Sequence, residues 1–235
     1  MSDEKSRKEL LEEPDPFMVF VGKTMEFGKQ YQKQIVAAVT TLLIVVIAVY
    51  GVIYFKNKAD DRAAVMLGKA LSHYSSILYR DPNIMNPKAP TVAEYEGVKK
   101  NFKEIVDKHG KTGSGKIALM HYADLCYLTK NYDEAIKAYN QALDEFGDKT
   151  EFKSLILNGL AYSYEGNKDF DKALTYFKKI ASDKDAVMKD QAFFNLGRIY
   201  ESLGKVKLMK DAFNRIVSDY PDSMYFELAR EKVAG

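Results

Sequence analysis

Residues Gly110 to Lys116 read GKTGSGK, the G-x-x-x-x-G-K spacing of a phosphate-binding loop. In such a loop the glycines let backbone N–H groups close around phosphate oxygens, the lysine neutralises charge, and a following Ser or Thr holds magnesium. Here the next residue is Ile117, which cannot ligate a metal, and the preceding NFKEIVDKH has an amphipathic helical pattern where the motif needs a buried strand. A connector between two helices explains the same residues, so no nucleotide is expected.

The other reactive side chains are sparse. Cys126, the single cysteine, cannot form an internal disulfide, and it falls at a packing position with no histidine at a spacing that would activate it. His73 and His121 fall on expected helices without a second ligand at i+4, and His109 ends a helix where a cation suits the dipole. The carboxylates lie on solvated helix faces such as YDEAI and DFDKAL. No catalytic residue, metal site or cofactor is therefore expected. With 35 Lys and Arg against 33 Asp and Glu, the net charge of +2 is too small for a chain built to neutralise nucleic-acid phosphates.

The function must then come from the elements themselves, and the composition points to an all-α protein. Only 6 prolines and 14 glycines interrupt 235 residues, and runs such as YDEAIKAYNQALDEF favour helix. One stretch, Ile35 to Phe55 (IVAAVTTLLIVVIAVYGVIYF), carries no charge. As a helix it spans roughly 31 Å, close to the hydrocarbon thickness of a bilayer. Tyr31, Tyr50, Tyr54 and Phe55 supply interfacial rings and Lys33, Lys56 and Lys58 bracket the run, so a single transmembrane helix over 35–55 is expected. A cleaved signal peptide has a shorter apolar core, and a soluble core helix would show a polar face. Lysines flank both ends evenly, so charge alone leaves the orientation open.

Residues 1–34 form an N-terminal tail. Its first 16 residues are mostly polar and end in Pro14 and Pro16, too poor in apolar side chains for a core. Phe17, Phe20, Val21, Met25 and Phe27 follow, either as an amphipathic helix in the headgroup layer or as part of a disordered tether.

Beyond Lys58 the sequence repeats. Lys116–Gly147, Ser154–Asp185 and Asp190–Pro221 align as helix pairs starting 38 and then 36 residues apart. Ala123, Ala161 and Gly197 fill one small position, Ala135 and Ala173 another, and Tyr139, Phe177 and Phe213 one aromatic position. These residues resemble the tetratricopeptide repeat, whose small residues let helices cross closely while aromatics fill the seam. The last segment matches best, through Phe193, Leu196, Gly197, Tyr200, Phe213 and Pro221. Leu119 and Leu157 replace the usual Trp, Cys126 the usual Tyr, and Met209 the last repeat's second small residue. Residues 56–110 read as a divergent first helix pair, Asp60–Tyr79 and Thr91–His109, around a proline-rich loop at 80–90. Residues 116–235 then hold three repeats plus a capping helix, Met224–Ala234, with Ser223 at its start. The expected fold is a single N-terminal transmembrane helix followed by an α-solenoid.

The tetratricopeptide resemblance implies that certain first-helix positions line a concave groove for protein partners. In this sequence they are Met120, Asp124, Tyr127, Asn158, Tyr162, Glu165, Phe194, Arg198 and Glu201. Aromatic, Met and both charge signs suit a polypeptide ligand. The order of tail, uncleaved anchor, Ala-rich helix (ADDRAAVMLGKAL) and repeats resembles the YfgM-like ancillary subunits of the bacterial Sec translocon. That resemblance implies a bacterial inner-membrane protein with a cytoplasmic N-terminus and periplasmic repeats. Its implied partners are translocon subunits, periplasmic chaperones or exported polypeptides, with the membrane held through residues 35–55. FNRIVSDYPDS also resembles repeats of outer-membrane assembly and cell-division coordinator proteins, so the alternative is a scaffold in another envelope assembly, such as outer-membrane biogenesis, a pilus or the division complex.

Overall fold

The computed structural model describes residues 15–79, 89–147 and 150–235, and these form ten helices and no strand. The first 14 residues of the expected tail and most of the expected loop at 80–90 lie outside the described residues. The chain divides into two compact units, Met1–Asn57 and Lys58–Gly235.

In the first unit, Asp15 caps α1 (Pro16–Gln30) by accepting the Phe17 N–H at 2.9 Å. The apolar cluster of Phe17, Phe20, Val21, Met25 and Phe27 is therefore helical, and every one of these side chains is exposed. The next helix, α2 (Gln32–Leu78), contains the uncharged run, whose large apolar side chains all face outward. Thr40 and Thr41 donate their hydroxyls back to Val36 O at 2.7 Å and Ala37 O at 2.8 Å, so the backbone absorbs the only side-chain polar groups before Tyr50. Among the described residues this is one helix long and apolar enough to cross a membrane. It does not stop at Phe55. Residues 56–62 (KNKADDR) are free of Gly and Pro, so the run and the expected Asp60–Tyr79 helix form one element.

In the second unit helices stack in pairs. The lower part of α2 contributes Ala63, Leu67, Ala70 and Ile77 to the core, and α3 (Val92–His109) contributes Val98, Phe102 and Ile105. A capping box starts α3, in which Thr91 and Glu94 each bond the other's backbone N–H. The repeats follow as α4 (Gly113–Leu128) with α5 (Tyr132–Phe146), α6 (Thr150–Gly166) with α7 (Phe170–Ser182), and α8 (Lys189–Ser202) with α9 (Val206–Asp219). Each helix of the repeats packs against the one before and the one after it, and α4 also reaches α6. The small and aromatic residues of the repeat pattern are all buried. A Cβ on Gly197 would stand 2.7 Å from the Phe213 ring, so the helices meet there at a distance that only glycine permits.

Each pair is joined by the same turn. Lys130, Lys168 and Gly204, one in each repeat, hold φ of 61°, 63° and 65°, and the following N–H reaches back to the carbonyl of Cys126, Tyr164 or Tyr200 at 2.8 to 2.9 Å. These left-handed residues close the first helix, yet only one of the three is the glycine that usually signals such an end. The stack finishes with α10 (Phe226–Ala234), which packs on α9. It begins two residues later than the sequence suggested. Ser223 donates its hydroxyl to Asp190 at 2.6 Å and accepts the Tyr225 N–H at 3.2 Å, which makes a turn of the residues expected to open the helix.

Candidate partner-binding groove

The first helices α4, α6 and α8 carry the residues expected to line a groove. At i, i+4 and i+7 they present Met120, Asp124 and Tyr127, then Asn158, Tyr162 and Glu165, then Phe194, Arg198 and Glu201 on one face of each helix. Met120 and Asn158 are half-buried, and Met120 packs against the core.

Four of the nine meet in one linked cluster. The Tyr127 ring lies 6.2 Å from that of Tyr162. Glu165 accepts two hydrogen bonds from Arg198, at 2.6 and 2.7 Å, and Arg198 also donates to Asn195 Oδ1 at 3.0 Å. This fork holds the guanidinium charge, so the Arg198 pKa rises despite opposing burial. The Arg198 side chain keeps 41% exposure, so water screens the pair to about 0.2–1 kcal/mol, and its effect is orientation more than stability. The Tyr162 hydroxyl accepts from Asn195 Nδ2 at 2.8 Å and Gln191 Nε2 at 3.2 Å, while its ring meets Phe177 edge-on.

Asp124 has a different neighbourhood. It keeps contact with solvent, yet partial desolvation by the protein around it raises its carboxyl pKa, against the lowering effect of the Tyr139 hydrogen bond and of His121. Its Oδ1 accepts the Tyr139 hydroxyl at 2.5 Å, tying α4 to α5. His121, one residue from the face, stacks on Phe102 with ring centres 5.0 Å apart, and burial lowers its pKa although Asp124 opposes the shift.

Phe194 and Glu201, on α8, face the C-terminal segment. Phe194 stacks on Tyr225 at 4.4 Å, and Glu201 accepts from Lys232 of α10 at 2.5 Å, so both are engaged by the C-terminal segment. Sequence reasoning missed Gln191 and Asn195. Asn195 is only 2% exposed and occupies the register of Gly159 and His121, so a polar side chain at a packing position was the available signal.

The other reactive residues have local explanations. Thr112 caps α4 by accepting the Gly115 N–H at 2.9 Å, and Gly115 packs so tightly that a Cβ would stand 2.0 Å from the His109 carbonyl oxygen. Lys116 bonds the Glu145 carbonyl at 2.8 Å and its carboxylate at 3.0 Å. The loop-like motif thus opens a helix and ties it to α5. Cys126 is fully buried, and burial pushes its thiol up to about 11, which disfavours the thiolate. His73 Nδ1 lies 3.0 Å from Asn101 Nδ2. Among the described residues no three His, Cys, Asp or Glu side chains gather as metal ligands.

Two tetratricopeptide repeat models match the chain, one over residues 116–182 and the other over residues 191–223. Stacked helix pairs, buried small and aromatic signature residues and these matches mark those two stretches as tetratricopeptide repeats, which indicate an adaptor or scaffold for other proteins. No curated protein matches the chain.

Proposed function

We propose that the protein is a membrane-anchored adaptor whose repeat groove binds polypeptides at the Sec translocon together with periplasmic chaperones. The observation that supports it most is the cluster of Tyr127, Tyr162, Glu165 and Arg198 on adjacent first helices. Tyrosine offers a large contact area at low entropic cost, and the oriented guanidinium offers a fork to a partner's carboxylate in competition with Glu165. Residues 35–55 cross the inner membrane, with the N-terminus in the cytoplasm and the repeats in the periplasm. The unburied apolar run supports the crossing, and the resemblance in domain order to YfgM-like subunits supports its direction and the partners.

The test places a photo-crosslinking amino acid at Tyr127, Tyr162 or the exposed Lys178 of the full chain in native membranes. Translocon subunits and periplasmic chaperones should appear as adducts from the first two positions and not from Lys178. Adducts with pilus or division proteins instead, or the same adducts from all three positions, would overturn the reading. Alkaline phosphatase fused after Gly235 should be active, and silence there beside an active cytoplasmic reporter would reverse the orientation.

A further inference from the structure

The helix before the span has a face that nothing in the described residues covers. At about 100° per residue, Phe17, Phe20, Val21, Met25 and Phe27 fall in one half of α1, and Glu26, Gln30 and two lysines in the other, together with Val19. Lys29 and Lys23 stand at the two borders of the polar half, where long side chains can lay their stems along apolar surroundings and lift the charge outward. Three lysines against one glutamate over residues 16–34 give that stretch a net +2.

Two details separate this face from a chance apolar patch. Thr24 sits in the middle of the apolar half, and its hydroxyl donates to Phe20 O at 2.8 Å and to Val21 O at 3.0 Å. Thr40 and Thr41 satisfy theirs the same way within the uncharged run, which is the arrangement a hydroxyl needs where water is scarce. The helix ladder also restarts at the expected edge of the bilayer. Tyr31, at φ −105° and ψ 12°, donates its N–H to Phe27 O to close α1, and its carbonyl accepts from Ile35 to open α2. The Phe27 and Tyr31 rings pair at 4.7 Å across this junction.

We propose that α1 lies flat in the headgroup layer of an anionic bilayer, with its phenylalanines toward the acyl chains and Lys23 and Lys29 against lipid phosphates. This rests on the reading of residues 35–55 as a span. Basic borders, an apolar half and continuity with that span specify a lipid surface as the occupant.

The test uses the full chain in phosphatidylcholine–phosphatidylglycerol nanodiscs, with single cysteines at Val21, Glu26 or Ile44 carrying a spin label. Cys126, buried and with a raised pKa, should stay unlabelled, as the unsubstituted chain will show. Collisions with oxygen and with a water-soluble nickel chelate report depth. Val21 should collide several-fold less with nickel than Glu26 while remaining open to oxygen, and Ile44 should be the most protected. Lys23→Gln with Lys29→Gln, or a purely zwitterionic disc, should raise nickel access at Val21 and leave Ile44 unchanged. Equal nickel access at Val21 and Glu26 with Ile44 still protected would overturn the proposal and spare the span. Protection of Val21 from both reagents would overturn it in favour of a protein contact such as a second copy. A nickel-exposed Ile44 would remove the span and the proposal together.

Discussion

Ile47 and Ile199 are the same residue on the same kind of element, yet one is 69% exposed and the other 1%. A lone helix cannot cover its own side chains, so an apolar residue is buried only where a neighbouring element or a lipid supplies the covering. In Lys58–Gly235 the next helix does this, and small residues are spaced to let it approach. Along Ile35–Phe55 the apolar side chains run around the helix without a polar face, and no described residue covers them, which is the pattern of a segment solvated by lipid.

The largest expected effect comes from charging the first region. Ile44→Arg with Ile47→Arg adds about 2.5–3.5 kcal/mol per residue to the cost of membrane insertion. The chain should move to the soluble fraction on carbonate extraction. Retention of the doubly charged chain in the pellet would mean that the run is not what holds it to the membrane.

One substitution made in both regions sharpens the contrast. Gly197→Leu should cost about 1–3 kcal/mol and lower the melting temperature by several degrees, because the added side chain meets the Phe213 ring. Gly51→Leu has nothing within 4 Å to meet and should leave membrane insertion intact. A repeat fragment indifferent to Gly197→Leu would show that the close crossing does not govern stability.

Within the groove the expected effects are smaller and separable. Tyr127→Ala should weaken partner recovery by about fivefold, roughly 1 kcal/mol, with a smaller shift of the melt than Gly197→Leu, since its half-buried ring also packs on the core. Tyr162→Ala should lower both, since it takes one of two acceptors from the buried Asn195 amide. Lys178→Ala with Lys179→Ala on α7 is the control. Equal recovery by all three proteins would move attention from the groove to the anchor.

The smallest effect is a pH dependence. His121 has a lowered folded pKa, so its stabilising neutral form is favoured above the unfolded value of about 6.5, and that stability is lost as pH falls toward the folded value. Asp124 has the opposite sign. Its raised folded pKa makes the fold bind a proton more readily than the unfolded chain, so it adds stability as pH falls further toward the ordinary carboxylate range. The melting temperature of the repeat fragment should therefore begin to drop below about pH 6.5, and His121→Phe should flatten that onset. An identical onset in the variant would assign the drop to other groups.

The uncharged run from Ile35 to Phe55 was legible because membrane solvation depends on length and composition, which need no partner. The repeats were legible for a related reason: Ala123, Ala161 and Gly197 recur in register with Tyr139, Phe177 and Phe213, and close helix crossing demands that pairing of sizes wherever it occurs. Less was readable in the turns, where Lys130 and Lys168 adopt the left-handed conformation that Gly204 adopts without strain. There the packing of the two helices imposes the backbone against side-chain preference.

The partners within the groove were not readable at all. Glu165 meets Arg198, Tyr162 meets Asn195 and Asp190 meets Ser223, each pair 33 residues apart. That separation is about one repeat, so the stacking of one helix pair on the next brings these groups together. Sequence by itself determined the long apolar helix, the helix pairs and the residue types on the exposed face, because local periodicity and composition carry those. Tertiary structure alone decided that Phe194 lies against the C-terminal segment, that Glu165 orients Arg198, and that Tyr162 supports a buried amide, because hydrogen bonds of about 3 Å depend on a stacking offset that no single repeat contains.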